Sequence, residues 1–141
     1  MKTLKTLLLA ILLTTFSAAV TSAQNYKAPA IDFSGTIKDT TGHSLGKVSK
    51  EGIITNPKGK KVAHINSSGL LVDEAGKIMG KPSKNGNFST TDDQLEFTVR
   101  PSTNDQCEVL DKDGKVVVVV HNNYKAQAGA IAHCMKMNML K

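Results

Sequence analysis

Between residues 35 and 123 apolar and polar positions alternate in short runs, and turn residues divide the runs. Gly35, Gly52, Gly69 and Gly86 stand 17 residues apart, and a fifth register begins at Cys107 after an extension around residues 100–105. Two positions after each start come Ile37, Ile54, Leu71, Phe88 and Val109. Eleven positions after come Gly46, Ala63, Gly80, Phe97 and Val118, and thirteen after come Val48, Ile65, Pro82, Val99 and Val120. A spacing of two is strand periodicity, because successive strand side chains point to opposite faces. The small residues at the Gly46 position point to crowding there.

The runs are joined by turns with a physical signature. Asp39…Gly42, Asn56…Gly59, Asp73…Gly76 and Asp111…Gly114 each place a side-chain acceptor at the first turn position and a glycine at the fourth. The first caps the turn and the last takes positive φ, as a type I turn followed by a glycine bulge requires. Ser49…Gly52, Asn66…Gly69 and Ser83…Gly86 repeat the chemistry at the other end of each unit. The pattern therefore predicts a mostly β chain of five tandem hairpins of about 17 residues (35–51, 52–68, 69–85, 86–106 and 107–123). One such hairpin buries too little to stand alone. The five must cooperate, as a closed radial arrangement or a linear solenoid, and the diverged fourth and fifth units favour closure.

The flanks differ. Residues 24–34 read as an extended lead-in containing Pro29. Residues 124–141 read as a C-terminal amphipathic helix, with Tyr124, Ala128, Ile131 and Met135 on one face and Lys125, Gln127 and Lys136 elsewhere around the wheel. Such a helix is expected to cover an open edge or end of the sheet. Residues 1–23 carry Lys2 and Lys5, an apolar run Leu7–Leu13 and small residues Thr21-Ser22-Ala23. This is the layout of a secretory signal peptide, too short in its apolar part to span a bilayer. The chain is thus expected to be exported, to the periplasm or beyond, with no transmembrane anchor in its mature form.

At this point the units, Gly35-Thr36-Ile37-Lys38-Asp39 through Gly42-His43-Ser44-Leu45-Gly46-Lys47-Val48 above all, resemble the repeat of the five-fold β-flower proteins, small exported bacterial proteins. The resemblance covers residues 35–123. It implies hairpin petals closed around a pseudo-five-fold axis, and it implies no reaction.

Composition narrows the function classes. Without residues 1–23 the chain keeps 16 basic and 12 acidic residues, a mild +4, with lysines scattered among acids. No basic stripe interleaved with aromatics is present, so nucleic acid is not expected as a partner. Aromatic residues are 4% and tryptophan is absent, which weighs against a glycan platform in every unit. Cys107 and Cys134 are the two cysteines, and an even count in an exported chain favours one disulfide between them, with two free, buried thiols as the other reading. His43, His64, His121 and His133 form no metal-ligand spacing and have no acidic cluster beside them, so no metal and no cofactor are expected. Phosphate-loop, dinucleotide and hydrolase motifs are missing. The sequence therefore supports an exported, non-enzymatic scaffold or protein-binding module whose partner is another envelope or secreted protein. The alternative is a small-ligand or glycan-binding module. The irregular fourth unit, with Asp92, Asp93, Arg100 and Asp105, is the candidate interaction surface.

Overall fold

The computed structural model describes residues 28–140, and the expected signal peptide lies outside the described residues. The strands are β1 (Ala30–Ile31), β2 (Thr36–Lys38), β3 (Ser44–Val48), β4 (Ile53–Thr55), β5 (Lys61–Ile65), β6 (Leu71–Asp73), β7 (Ile78–Pro82), β8 (Phe88–Ser89), β9 (Leu95–Pro101), β10 (Gln106–Leu110) and β11 (Val116–His121). They close into one barrel in the order β1-β11-β10-β9-β8-β7-β6-β5-β4-β3-β2. Sequential neighbours pair antiparallel. The seam is β1, antiparallel to β2 and parallel to β11, where the Val119 amide donates to the Pro29 carbonyl at 2.9 Å. Closure removes the exposed strand edges an open sheet would carry.

One pairing recurs in five hairpins. Ile37 faces Gly46, Ile54 faces Ala63, Leu71 faces Gly80, Phe88 faces Phe97 and Val109 faces Val118. In each case the register shifts immediately after the first-named residue. Such bulges bend the strand and increase its twist, which a small barrel needs. The turns are held by side chains. One oxygen of Asp39 accepts the Thr41 and His43 amides, each at 2.9 Å, and Asn56, Asp73 and Asp111 do the same in their own turns. The Thr41 hydroxyl and these amides outweigh desolvation and hold the Asp39 carboxyl below its ordinary range. In the fourth unit Asp93 stands where the other units have glycine, with φ of 60°.

The inward residues form one core. Ile37, Ile54, Leu71, Phe88, Val109, Val118 and Val120 are fully buried. Crowding at the small positions has a visible cause: a Cβ built on Gly80 would lie 2.4 Å from the Phe88 ring, so the aromatic side chain of the fourth unit fills the space left by the third.

The C-terminal segment departs from the expected cover. Asn122–Gln127 is a 3-10 helix containing a non-helical Tyr124, and α1 (Ala128–Lys136) follows. Every residue from Ala128 to Cys134 is buried, so this stretch has no solvent face and belongs to the interior, not to an edge. It begins beside the turns between hairpins, where the Gly129 amide donates to the Gly86 carbonyl at 2.9 Å and the Gln127 side-chain amide to the Lys50 carbonyl at 3.0 Å. It ends near the hairpin tips, where Lys136 reaches Glu96. Nine residues span about 13 Å, close to the length of a five-residue strand, about 17 Å. The small run Ala128-Gly129-Ala130 makes room: a Cβ on Gly129 would lie 2.4 Å from the Gly86 carbonyl oxygen and 2.7 Å from Phe88 Cβ. Gly129→Ala is therefore expected to destabilise the fold by about 1–2 kcal/mol in urea unfolding, overpacking outweighing a helix-propensity gain of about 1 kcal/mol.

The expected Cys107–Cys134 disulfide is absent. Both cysteines are free thiols packed in the core, and each serves as a small apolar side chain. Burial pushes the Cys134 thiol up to about 12, and the Cys107 thiol is raised for the same reason. Among the described residues no helix is long and apolar enough to cross a membrane.

Candidate functional site

The chemistry gathers at the mouth where α1 emerges. Four units place an apolar residue ten positions after their start: Leu45, Val62, Met79 and Val117, all packed against the core. The fourth unit places Glu96 there, on β9. It is 7% exposed, so its charge needs partners. One carboxylate oxygen meets His133 Nδ1 at 2.5 Å and the other accepts from Lys136 Nζ at 3.1 Å. The His133 ring stacks on Phe88 with centroids 4.7 Å apart. Both partners lie in the last turn of α1, where the Lys136 ammonium complements the helix dipole. Glu96 and His133 stand 37 positions apart and are joined only by strand and helix packing, so no spacing in the sequence shows the pair.

Burial raises the Glu96 carboxyl, and the His133 and Lys136 hydrogen bonds and charges more than offset it, leaving the group below its ordinary 4.5. A folded value below the unfolded one means that the stabilisation is complete above about pH 4.5 and lost as pH falls through the depressed folded value. Glu96→Gln should cost about 1–3 kcal/mol at neutral pH. The gap to the unmodified protein should narrow steadily in denaturant titrations carried out at lower pH.

Beside this trio opens a pocket of about 520 Å³, lined by Glu96, Phe97, Asp111, Lys112, Asp113, Val117, Ala132, Met135 and Lys136. Strands β9 and β11, the β10–β11 turn and α1 each contribute. Phe97 and Ala132 are core residues, Val117 and Met135 are half-buried, and the turn residues Lys112 and Asp113 are exposed. The size lies within the range of small-molecule sites. Among the described residues no three His, Cys, Asp or Glu side chains form a metal-binding group.

The candidate surface of the fourth unit does not come together as one patch. Asp92 and Asp93 sit in the turn before β9, whereas Arg100 and Asp105 lie near or beyond its far end. Arg100 pairs with Glu108 across the β9–β10 ladder at 3.0 Å in an exposed setting. Such pairs contribute about 0.2–1 kcal/mol, and Arg100→Ala should shift stability by no more than that in thermal unfolding. The Asp105 carbonyl accepts the Asn122 amide at 2.8 Å. The extra residues of this unit thus hold the chain where it leaves β11. The cap residues Asp39, Asn56, Asp73 and Asp111 are in the hairpin tips, and Asp111 alone of these lines the mouth pocket.

No protein-family model, curated protein or solved structure matches the chain.

Proposed function

We propose that the chain is an exported, non-enzymatic binding module: five hairpins set around a pseudo-five-fold axis, as in the β-flower proteins it resembles, with a small-ligand site at the mouth where α1 emerges. The hairpin register common to all five units supports the radial arrangement. The single observation carrying the ligand reading is the mouth pocket of about 520 Å³, which combines an apolar wall with charged groups. Glu96, His133 and Lys136 brace the helix end beside it. A glycan finds little support: Phe88, Phe97 and Tyr124 are buried, and Phe33 is the exposed aromatic among the described residues. Export rests on the pattern of residues 1–23.

A second reading, recognition of another envelope or secreted protein, is favoured by Ile78, Leu95 and Met137, which are 47%, 51% and 56% exposed. Ile78 and Leu95 open the strands that follow two hairpin tips, with Asp92 and Asp93 adjacent. Exposed apolar residues rimmed by charge suit a protein contact.

A thermal-shift screen separates the two readings. Small organic ligands should raise the melting temperature in a dose-dependent way, while divalent metals and envelope glycans leave it unchanged. No response to any small molecule would overturn the ligand reading and leave the protein-binding one.

A further inference from the structure

We infer that the mouth pocket selects an organic cation, an ammonium carried on an apolar body. The inference rests on the ligand reading above and goes on to name the ligand class.

The charges divide into those already matched and those left over. Both Glu96 oxygens are engaged, one by His133 and one by Lys136, and on the lining as a whole Glu96, Asp111 and Asp113 stand against Lys112 and Lys136, three acids to two lysines. What remains on the lining is Asp111, Lys112 and Asp113, an excess of one negative charge. One Asp111 oxygen is committed to the Asp113 and Lys115 amides. The Asp113 carboxylate has no ion-pair partner among the described residues, and neither does Lys112. An anion entering this pocket would meet more negative than positive charge. A cation would find Asp113 on the exposed turn and the second Asp111 oxygen beside it.

The rest of the wall fixes the remainder of the ligand. Phe97, Val117, Ala132 and Met135 offer carbon and thioether surface from three elements. Burying apolar area there supplies affinity, at roughly 25 cal/mol per Å². Met135 has the rotamer freedom to fit ligands of different outline. An ammonium without an apolar body would leave this wall unused, and an apolar body without charge would leave the turn carboxylates unused.

Three probes of matched skeleton test the assignment: phenylbutylammonium, phenylbutanol and phenylbutyrate, each titrated into the protein by calorimetry and by amide chemical shifts. The cation should bind about threefold to fivefold more tightly than the alcohol, since one exposed charge pair contributes at most about 1 kcal/mol, and the anion most weakly. Asp113→Asn should bring the cation to within about twofold of the alcohol and leave the alcohol unchanged. Val117→Phe, which fills the pocket from a half-buried site, should abolish binding of all three. If alcohol and anion bind as well as the cation, or if Asp113→Asn weakens all three alike, the charge assignment falls while the pocket stands. If binding survives Val117→Phe, the ligand sits elsewhere and the inference is overturned. If none of the three binds at millimolar concentration, the charge assignment and the ligand reading fall together.

Discussion

Ending the chain after His121 should abolish cooperative folding. The deletion removes Tyr124, Ala128, Ala130, Ile131, Ala132 and Cys134 from the core and opens the faces of Phe88, Phe97, Val109 and Val118 that join them in one cluster. It also strips Glu96 of both partners, leaving a charge in an otherwise apolar ring. Removing one partner of a buried pair already costs about 3–5 kcal/mol. Together with the lost apolar burial, this matches or exceeds the 5–15 kcal/mol that hold a typical domain folded. Circular dichroism with urea should show a broad, non-cooperative transition and exposure of apolar surface to a hydrophobic dye. A truncated chain that unfolds sharply, with near-unchanged midpoint, would place the helix outside the barrel.

The next largest effect is expected from Phe88. Its side chain is fully buried, packs against the Gly80 position and the Gly129 backbone, and carries the stacked His133 ring. Phe88→Ala should therefore cost about 3–5 kcal/mol in urea unfolding. The site joins hairpin, helix and brace, so little collapse can fill the cavity. A second substitution separates this from a general core effect. In Phe88→Ala the further cost of Glu96→Gln should shrink, because the histidine it pairs with has lost its ring partner and its position. Strict additivity of the two would mean that the ring stack does not position His133. Phe88→Leu, which keeps most of the volume, should recover more than half of the loss.

The wall of the barrel was legible in the sequence because each unit repeats local chemistry: strand periodicity of two and Asx-capped turns that end in glycine. Closure was one of the two arrangements open to short hairpins that need partners, favoured by the diverged fourth and fifth units. The helix interior was harder. A wheel drawn from Tyr124 assumes continuous α-helix, and the 3-10 segment Asn122–Gln127 breaks that phase. The usable signal lay further on, in the run Ala128 to Cys134, which has no Lys, Arg, Asp or Glu and therefore no obvious solvent face. Glycine is a poor helix residue, and the role of Gly129 is visible only when Gly86 is set against it. The Glu96–His133 pair left traces too. Glu96 breaks an otherwise apolar position of the repeat, and His133 breaks an apolar run, but nothing in one dimension links the two. The irregular fourth unit and the diverged fifth supply most of the strands that α1 packs against, β7 to β11. The cysteines show the limit of reasoning from compartment, since an even count is also what two core thiols give.

Both the brace and the mouth pocket depend on α1 lying within the barrel. Native-state hydrogen exchange tests it most directly. The amides of residues 131–134 should exchange through the same global unfolding as the core amides of β10, with equal opening free energy and equal dependence on denaturant. Exchange of the helix at markedly lower free energy, with β10 still protected, would contradict the account and put the segment on the surface.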